Sequence, residues 1–116
     1  MTNSKFMAKQ NKEDYTDEAV LIAKYAKALG HPARIAILHY LASIDGCFFG
    51  DICNELPIAN STVSQHLTEL KNAGLIQGTV EPPKVKYCIH PENWEQAKVL
   101  MEGFFTKISP KVQCCD

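Results

Sequence analysis

The last residues of the chain, VQCCD, carry two adjacent cysteines, Cys114 and Cys115. Two thiolates form a soft donor pair suited to a thiophilic centre such as trivalent arsenic or antimony. Neighbouring thiols alone do not build the tetrahedral cage that zinc requires. Exposed vicinal thiols are also prone to oxidation. We therefore predict that this tail binds a trivalent metalloid ion, with a redox-sensing pair and an incidental tail as the alternatives.

Three further cysteines, Cys47, Cys53 and Cys88, are candidates for a third sulfur ligand, which arsenite prefers. Cys47 is the favoured candidate because the sequence around it predicts a loop. Cys53 shares an apolar helix face, which is typical of a small core residue. Cys88 shares the lysine face of a predicted strand. A methylated trivalent arsenical would need only the terminal pair.

A second chemical pattern opens the segment STVSQHLTELKNAGL, where polar side chains crowd the first helical turns. Small hydroxyls let a helix approach DNA closely, and a glutamine can pair with a base edge in the major groove. A helix N-terminus also binds phosphate. The alternative is an ordinary surface helix that is polar at its start. The residues predicted to face DNA on this helix are Ser61, Thr62, Ser64, Gln65 and His66.

Lysines near this helix extend the predicted contact with DNA. Lys84 and Lys86 alternate along a strand, so they share one of its faces, and Lys71 lies in the last turn of the polar helix. A hairpin wing lying along a phosphate backbone needs little more than such a pair. The formal net charge of −1 counts against a strongly basic nucleic-acid binder, so we expect few phosphate contacts per subunit.

The composition, 46% hydrophobic and 22% charged over 116 residues, is typical of one globular domain. No apolar run is long enough to span a bilayer, and the N-terminus lacks the apolar core of a secretory signal. We therefore expect a cytoplasmic protein with reduced cysteines. No C-x-x-C motif and no supported Cys–His pair occurs, which disfavours the further alternative of a small thiol enzyme.

Hydrophobic periodicity predicts four helices, one shorter helical segment and a hairpin. A short helix, a tight turn and a capped helix, with Asn60 or Ser61 as the cap, are typical of a helix-turn-helix. The fold class predicted is mainly α with a β-hairpin wing (α+β), a winged helix-turn-helix. The predicted helical ranges are 17–29, 32–43, 48–56, 61–75 and 92–108, and the strands are 75–81 and 84–90.

The apolar stripes predict which faces are covered. Val63, Leu67 and Leu70 form the inner face of the polar helix. The stripe of the last helix is too rich for one small subunit to bury easily, and its members are Trp94, Ala97, Leu100, Met101, Phe104, Phe105 and Ile108. The predicted organisation is a flexible segment at 1–16, a winged domain with terminal dimerisation helices at 17–109, and a cysteine tail at 110–116.

The order and spacing of ALGHPARIAILHYL, ANSTVSQHLTELKNAGLI and a hairpin ending KYCIHP resemble the ArsR/SmtB family of metal-responsive repressors. The resemblance covers roughly residues 18–108 and is more specific than a lone motif. It implies a winged helix-turn-helix homodimer, built through its outer helices. It also implies that the dimer binds operator DNA and releases it when an inducer ion binds.

The resemblance also implies two inducer sites, which this chain lacks. The family's arsenic site is a C-x-C pair at the start of the short helix, where this sequence has Phe48 and Gly50. The family's zinc-type site uses Asp and His on the last helix, but residues 92–108 contain no histidine. The inducer, As(III) or Sb(III), is therefore predicted to bind at Cys114 and Cys115, with Cys47 as a possible third ligand.

Overall fold

The computed structural model describes residues 15–111, which form five helices and one three-stranded sheet. This confirms the predicted fold class. In chain order the elements are α1 (Asp17–Ala28), α2 (Pro32–Ala42), β1 (Cys47–Phe48), α3 (Phe49–Glu55), α4 (Asn60–Asn72), β2 (Ile76–Glu81), β3 (Lys84–Ile89) and α5 (Pro91–Lys107).

Side-chain caps fix where the first two helices begin. The Thr16 hydroxyl accepts the Ala19 N–H at 3.0 Å, and acidic residues fill the first turn of α1. His31 caps α2 in the same way, with Nδ1 accepting the Ala33 N–H at 3.0 Å. Pro32 occupies the first position of α2, where its missing N–H costs nothing.

Helix α4 begins one residue earlier than its polar residues suggest. Its N-cap is Ala59, which makes no side-chain capping bond, so the prediction of a cap at Asn60 or Ser61 is wrong. Both residues already lie inside the first turn, where the Ala59 carbonyl accepts the N–H of Thr62 and of Val63. The helix ends at Asn72, and Gly74 follows with a φ of 85°, which favours glycine.

The hairpin pairs β2 with β3 in antiparallel register, from Ile76 opposite Ile89 to Glu81 opposite Lys84. A third strand, β1, pairs with the other edge of β3 and places Cys47 opposite Tyr87. The prediction that Cys47 lies in a loop is therefore wrong. A strand of two residues is too short to display the alternation that predicts strands.

The core lies where α2, α3 and α4 meet the base of the hairpin. Val63, Leu67 and Leu70 are buried in it, as their helical spacing predicts. In α5, by contrast, only Ala97 is fully buried, while Trp94 and Leu100 pack on the edge of the core. Of the helices within residues 15–111, none combines the length and apolar character needed to cross a membrane.

Candidate functional site

The outer face of α4 is small, polar and open. Ser61, Ser64 and Gln65 are exposed and Thr62 is half-buried, in agreement with the predicted orientation of these side chains. In sequence they lie between and before the buried residues of the same helix. The first two turns of α4 therefore offer hydroxyl and amide groups to a partner outside the molecule.

His66 does not belong to this outer face. Its side chain is only 6% exposed, so the prediction that it points outward toward DNA is wrong. His66 lies at i+3 from Val63 and four residues before Leu70, which places it within the buried stripe. That spacing was a readable signal in the sequence, but the polar residue type favoured the surface.

Arg34 of α2 holds His66 from the core side, a contact that joins residues 32 apart in sequence. The Arg34 Nε–H donates to His66 Nδ1 at 3.0 Å. One terminal nitrogen of the same guanidinium donates to the carbonyls of Lys27 and Ala28, each at 3.3 Å. Arg34 therefore joins the C-terminal end of α1 to the inner side of α4, a role that its sequence position did not predict.

The bond from Arg34 fixes the tautomer of His66. A nitrogen that accepts a hydrogen bond carries no proton, so a neutral His66 has its proton on Nε2. Nε2 is buried and has no hydrogen-bond partner among the described residues. Burial, followed by the neighbouring His31 and Arg34, lowers the pKa of His66 below its ordinary value. The His31 ring lies against it, with 4.4 Å between ring centroids.

The wing stands beside the outer face of α4. A cleft of about 500 Å³ beside it is lined by Ser64 of α4, by residues 83–85 and 87 of the wing, Lys84 among them, and by residues 48–51 of β1 and α3. The Lys84 ammonium lies 5.3 Å from the centre of the Phe48 ring, a cation–π distance. Phe48 and Gly50 line the same cleft. The structure thus brings the polar helix and the wing to one surface.

The other predicted lysines lie around this surface in different environments. Lys71 is exposed, and its Nζ would lie 3.6 Å from a Cβ added to Gly78 of β2, so it sits beside the wing. Lys86 is half-buried. Its Cε would lie 2.7 Å from a Cβ added to Gly46, so its aliphatic stem covers the turn before β1. Lys84 is the more exposed member of the wing pair.

Cys47, the predicted third ligand, is 5% exposed. Its sulfur lies 3.7 Å from the Tyr40 hydroxyl, within hydrogen-bonding distance. That hydrogen bond, followed by burial, raises the pKa of Tyr40 to about 12. Burial raises the pKa of the Cys47 thiol as well. A buried thiol with a raised pKa is a poor thiolate donor at neutral pH, so these surroundings count against Cys47 as a ligand.

The remaining cysteines have different surroundings. Cys53 is half-buried on α3, and burial raises its pKa, in keeping with a core role. Cys88 is half-buried on β3, where its sulfur accepts from the Gln77 amide at 3.6 Å. Within residues 15–111 no group of three histidine, cysteine or acidic side chains is arranged to hold a metal ion. Cys114 and Cys115 lie outside the described residues, as does most of the predicted flexible segment at 1–16.

A second exposed surface lies on the outer helices. The Tyr25 hydroxyl donates to Gln96 Oε1 at 2.8 Å, which ties α1 to α5. On the same two helices the apolar side chains of Val20, Phe104, Phe105 and Ile108 are exposed, and we call them the α1–α5 apolar face. Large apolar side chains left exposed in this way are typical of protein–protein contact.

Comparisons with known proteins agree with this architecture. Residues 31–77 match the family model described as bacterial regulatory protein, arsR family. The HTH-type transcriptional regulator CmtR of Mycobacterium tuberculosis is 36% identical over 69 residues, which are 59% of this chain and 57% of that protein. The chain thus spans little more than half the length of the CmtR protein that it matches.

Two other comparisons cover more of the chain. A cadmium resistance transcriptional regulatory protein CadC homolog of Staphylococcus aureus is 32% identical over 92 residues, or 79% of this chain and 70% of that protein. The structure of an ArsR-like transcriptional regulator from Rhodococcus sp. RHA1 superposes with a TM-score of 0.67 at 18% identity, over 77% of this chain and 83% of that chain. At this level of sequence identity the structural match is evidence for the fold alone.

A helix-turn-helix formed by α3 and α4, followed by the β2–β3 wing, defines a winged helix-turn-helix protein. The chain belongs to the arsR family of bacterial regulatory proteins.

Proposed function

We propose that this protein is a transcriptional repressor that binds operator DNA through α4 and the wing. The observation that carries the proposal is the common surface on which Ser64 of α4 and Lys84 of β3 line one cleft. In this arrangement α4 is the recognition helix and enters the major groove. Gln65 reads a base edge, while Ser61, Thr62 and Ser64 approach the phosphates.

The proposal includes a homodimer formed through the α1–α5 apolar face. The exposed fractions of Phe104 and Phe105, 40% and 66%, support it because one subunit leaves this surface uncovered. Dimerisation also explains how a protein with a formal net charge of −1 can bind DNA. A dimer sets two copies of Lys71, Lys84 and Lys86 on a two-fold operator, so a neutral protein still presents a local basic edge.

The inducer is proposed to be a trivalent metalloid, arsenite or antimonite, held by the thiolates of Cys114 and Cys115. The chemistry of the pair supports this choice, as does the chain's lack of the family's C-x-C arsenic pair and of a histidine in 92–108. A metalloid lowers DNA affinity only if it binds better to a dimer geometry that fits the operator worse. A coupling free energy of about 1–3 kcal/mol is enough for a useful switch.

Because Cys47 is buried, it is a weaker candidate for a third sulfur ligand than the sequence suggests. Of the internal thiols, Cys47 is buried, whereas Cys53 and Cys88 are half-buried. We therefore favour either a dithiolate site, as a methylated trivalent arsenical needs, or a third sulfur from Cys88. A small thiol enzyme is disfavoured because burial raises the pKa of both Cys47 and Cys53, which lowers the fraction of each that is present as the reactive thiolate at neutral pH.

Two alternative inducers keep the same DNA-binding role. The name of the CadC homolog, a cadmium resistance regulator, favours a soft divalent cation as the second candidate. The third is peroxide-type oxidation of the terminal cysteine pair. Each alternative predicts release from DNA by a different chemical treatment, so one experiment separates them.

The test begins with selection of a bound duplex from a random DNA library by the purified protein. The recovered duplex is then titrated against the protein with arsenite, cadmium or dilute peroxide added. We expect arsenite to lower DNA affinity by roughly 5- to 150-fold, the range of a 1–3 kcal/mol coupling.

The double variant Cys114→Ser, Cys115→Ser should bind the duplex like the wild type and no longer respond to arsenite. The single variant Cys53→Ser is the matched control, and it should still respond. Release of the double variant by arsenite would move the sensor to the internal cysteines. Release by cadmium or peroxide alone would replace the metalloid as inducer, and failure to recover any duplex would contradict the DNA-binding role.

A further inference from the structure

We propose that Arg34 and His66 form a latch that positions the recognition helix α4, and that acid opens this latch and weakens operator binding. The inference rests on the proposed DNA-binding function. It makes His66 a positioning residue that acts from behind the helix, in place of a residue that touches DNA.

The hydrogen bond from Arg34 to His66 can form in only one protonation state of His66. Its guanidinium is anchored on the carbonyls of Lys27 and Ala28, so its Nε–H is held facing His66 Nδ1. An arginine stays protonated at any ordinary pH and has no acceptor. The contact therefore exists only while Nδ1 keeps a free lone pair, that is, while His66 is neutral.

Protonation of His66 places its Nδ1–H donor next to the Nε–H donor of Arg34, and its positive charge next to that of the guanidinium, at a buried position. From α2, the titratable and charged groups that face His66 are His31 and Arg34, and both disfavour its charged form. On α4 itself, Glu69 is exposed. Among the described residues no carboxylate lies within ion-pairing distance of His66. None of the described residues around His66 stabilises the imidazolium, so we expect its side chain to leave its place.

Departure of His66 disturbs the DNA-facing surface because of where it sits on α4. Gln65 is the preceding residue and Ser64 the one before it, both on the exposed side of the same turn. Helix α4 is also held to the core by Val63 and Leu67, which flank His66 on the buried stripe. A shift of this turn moves Gln65 and Ser64 together relative to the wing.

The direction of the pH effect follows from the lowered pKa of His66. A base with a lowered pKa in the folded state contributes stability that is complete above its ordinary value, about pH 6.5. That stability is lost as the pH falls from there through the lowered pKa. Operator affinity should fall at lower pH still, as the pH drops below the lowered pKa, because only there does His66 become protonated in the folded protein. A histidine aimed at DNA phosphate would give the opposite sign, because its protonation adds a positive charge at the backbone.

The test measures affinity for the selected duplex at constant ionic strength from about pH 8 to about pH 5, the range in which histidine titrates. Wild-type affinity should fall on acidification, with a slope approaching tenfold per pH unit for one linked proton. The variant His66→Asn keeps an acceptor oxygen near the place of Nδ1 and cannot titrate there, so its affinity should change much less.

The exposed His39 supplies the matched control, and His39→Asn should keep the wild-type slope. An equal slope in His66→Asn would assign the effect to other histidines, such as the helix caps His31 and His90, and would overturn the latch. A wild-type affinity that is flat or rises in acid would overturn it too.

A measurement without DNA keeps the latch testable if no duplex is recovered or if His66→Asn does not fold. Nitrogen-15 spectra of the wild-type imidazoles should show His66 as the Nε2–H tautomer at neutral pH, titrating below the ordinary histidine range. The Nδ1–H tautomer, or titration at the ordinary value, would reject the latch whatever the protein binds.

Discussion

Helices α4 and α5 both expose one face, but the two faces have opposite chemistry. On α4 the buried stripe is complete, with Val63 and Leu70 inside, and the outer side carries Ser64 and Gln65. On α5 only Ala97 is fully buried, and large apolar side chains such as Phe105 remain outside. Exposure alone therefore does not identify a partner. Small polar groups suit the grooves of DNA, whereas uncovered apolar area suits a second protein surface.

The strongest expected effect comes from placing a charge on the α1–α5 apolar face. Phe104→Glu should weaken dimerisation by about 3–5 kcal/mol, because a buried carboxylate without a partner is not compensated. Sedimentation velocity at micromolar concentration should then report a monomer, and binding of the selected duplex should be lost with it.

Two further variants sharpen this test. Phe104 also lines a groove against α1, so Phe105→Glu, at a more exposed position, separates loss of the dimer from damage to the subunit. Thr106→Glu is the matched control, since it places the same charge on the same helix about 160° from the centre of the apolar stripe. A wild-type protein that sediments as a monomer would contradict the interface.

A smaller effect is expected on the outer face of α4. Gln65→Ala should cost about 1–3 kcal/mol of binding free energy and relax specificity at one base pair of the selected duplex. Its effect on the free energy of unfolding should be slight because the side chain is exposed. Affinity for the selected duplex and its single-base variants checks this. Gln77→Ala, an exposed glutamine on β2, should keep the wild-type sequence preference.

The smallest expected effect is on the wing. Lys84→Ala should weaken all DNA sequences alike and reduce the slope of log affinity against log salt by about one for each lysine removed. Lys98→Ala, an exposed lysine on α5, should leave the slope unchanged. A change in sequence preference for Lys84→Ala would mean that the wing reads bases as well as phosphates.

Much of the fold could be predicted from local patterns. The helical spacing of Val63, Leu67 and Leu70 predicts the inner face of α4, and the structure confirms it. Gly74 stands just beyond the end of that helix, a position where a glycine with a positive φ is common. The alternation in residues 84–90 predicts the β3 strand of the wing. These features depend on the chain's own periodicity and backbone preferences, which the sequence contains in full.

Tertiary structure alone decided the features that depend on partners distant in sequence. The sequence placed His66 on the DNA side by its polar type, but a hydrogen bond from Arg34 makes its burial possible. The same holds for Cys47, which pairs with Tyr87 in a strand too short to predict and lies against the Tyr40 hydroxyl. A polar side chain is stable inside a protein when a donor or acceptor is brought to it. Only the folded arrangement of α2, α4 and the sheet supplies those groups.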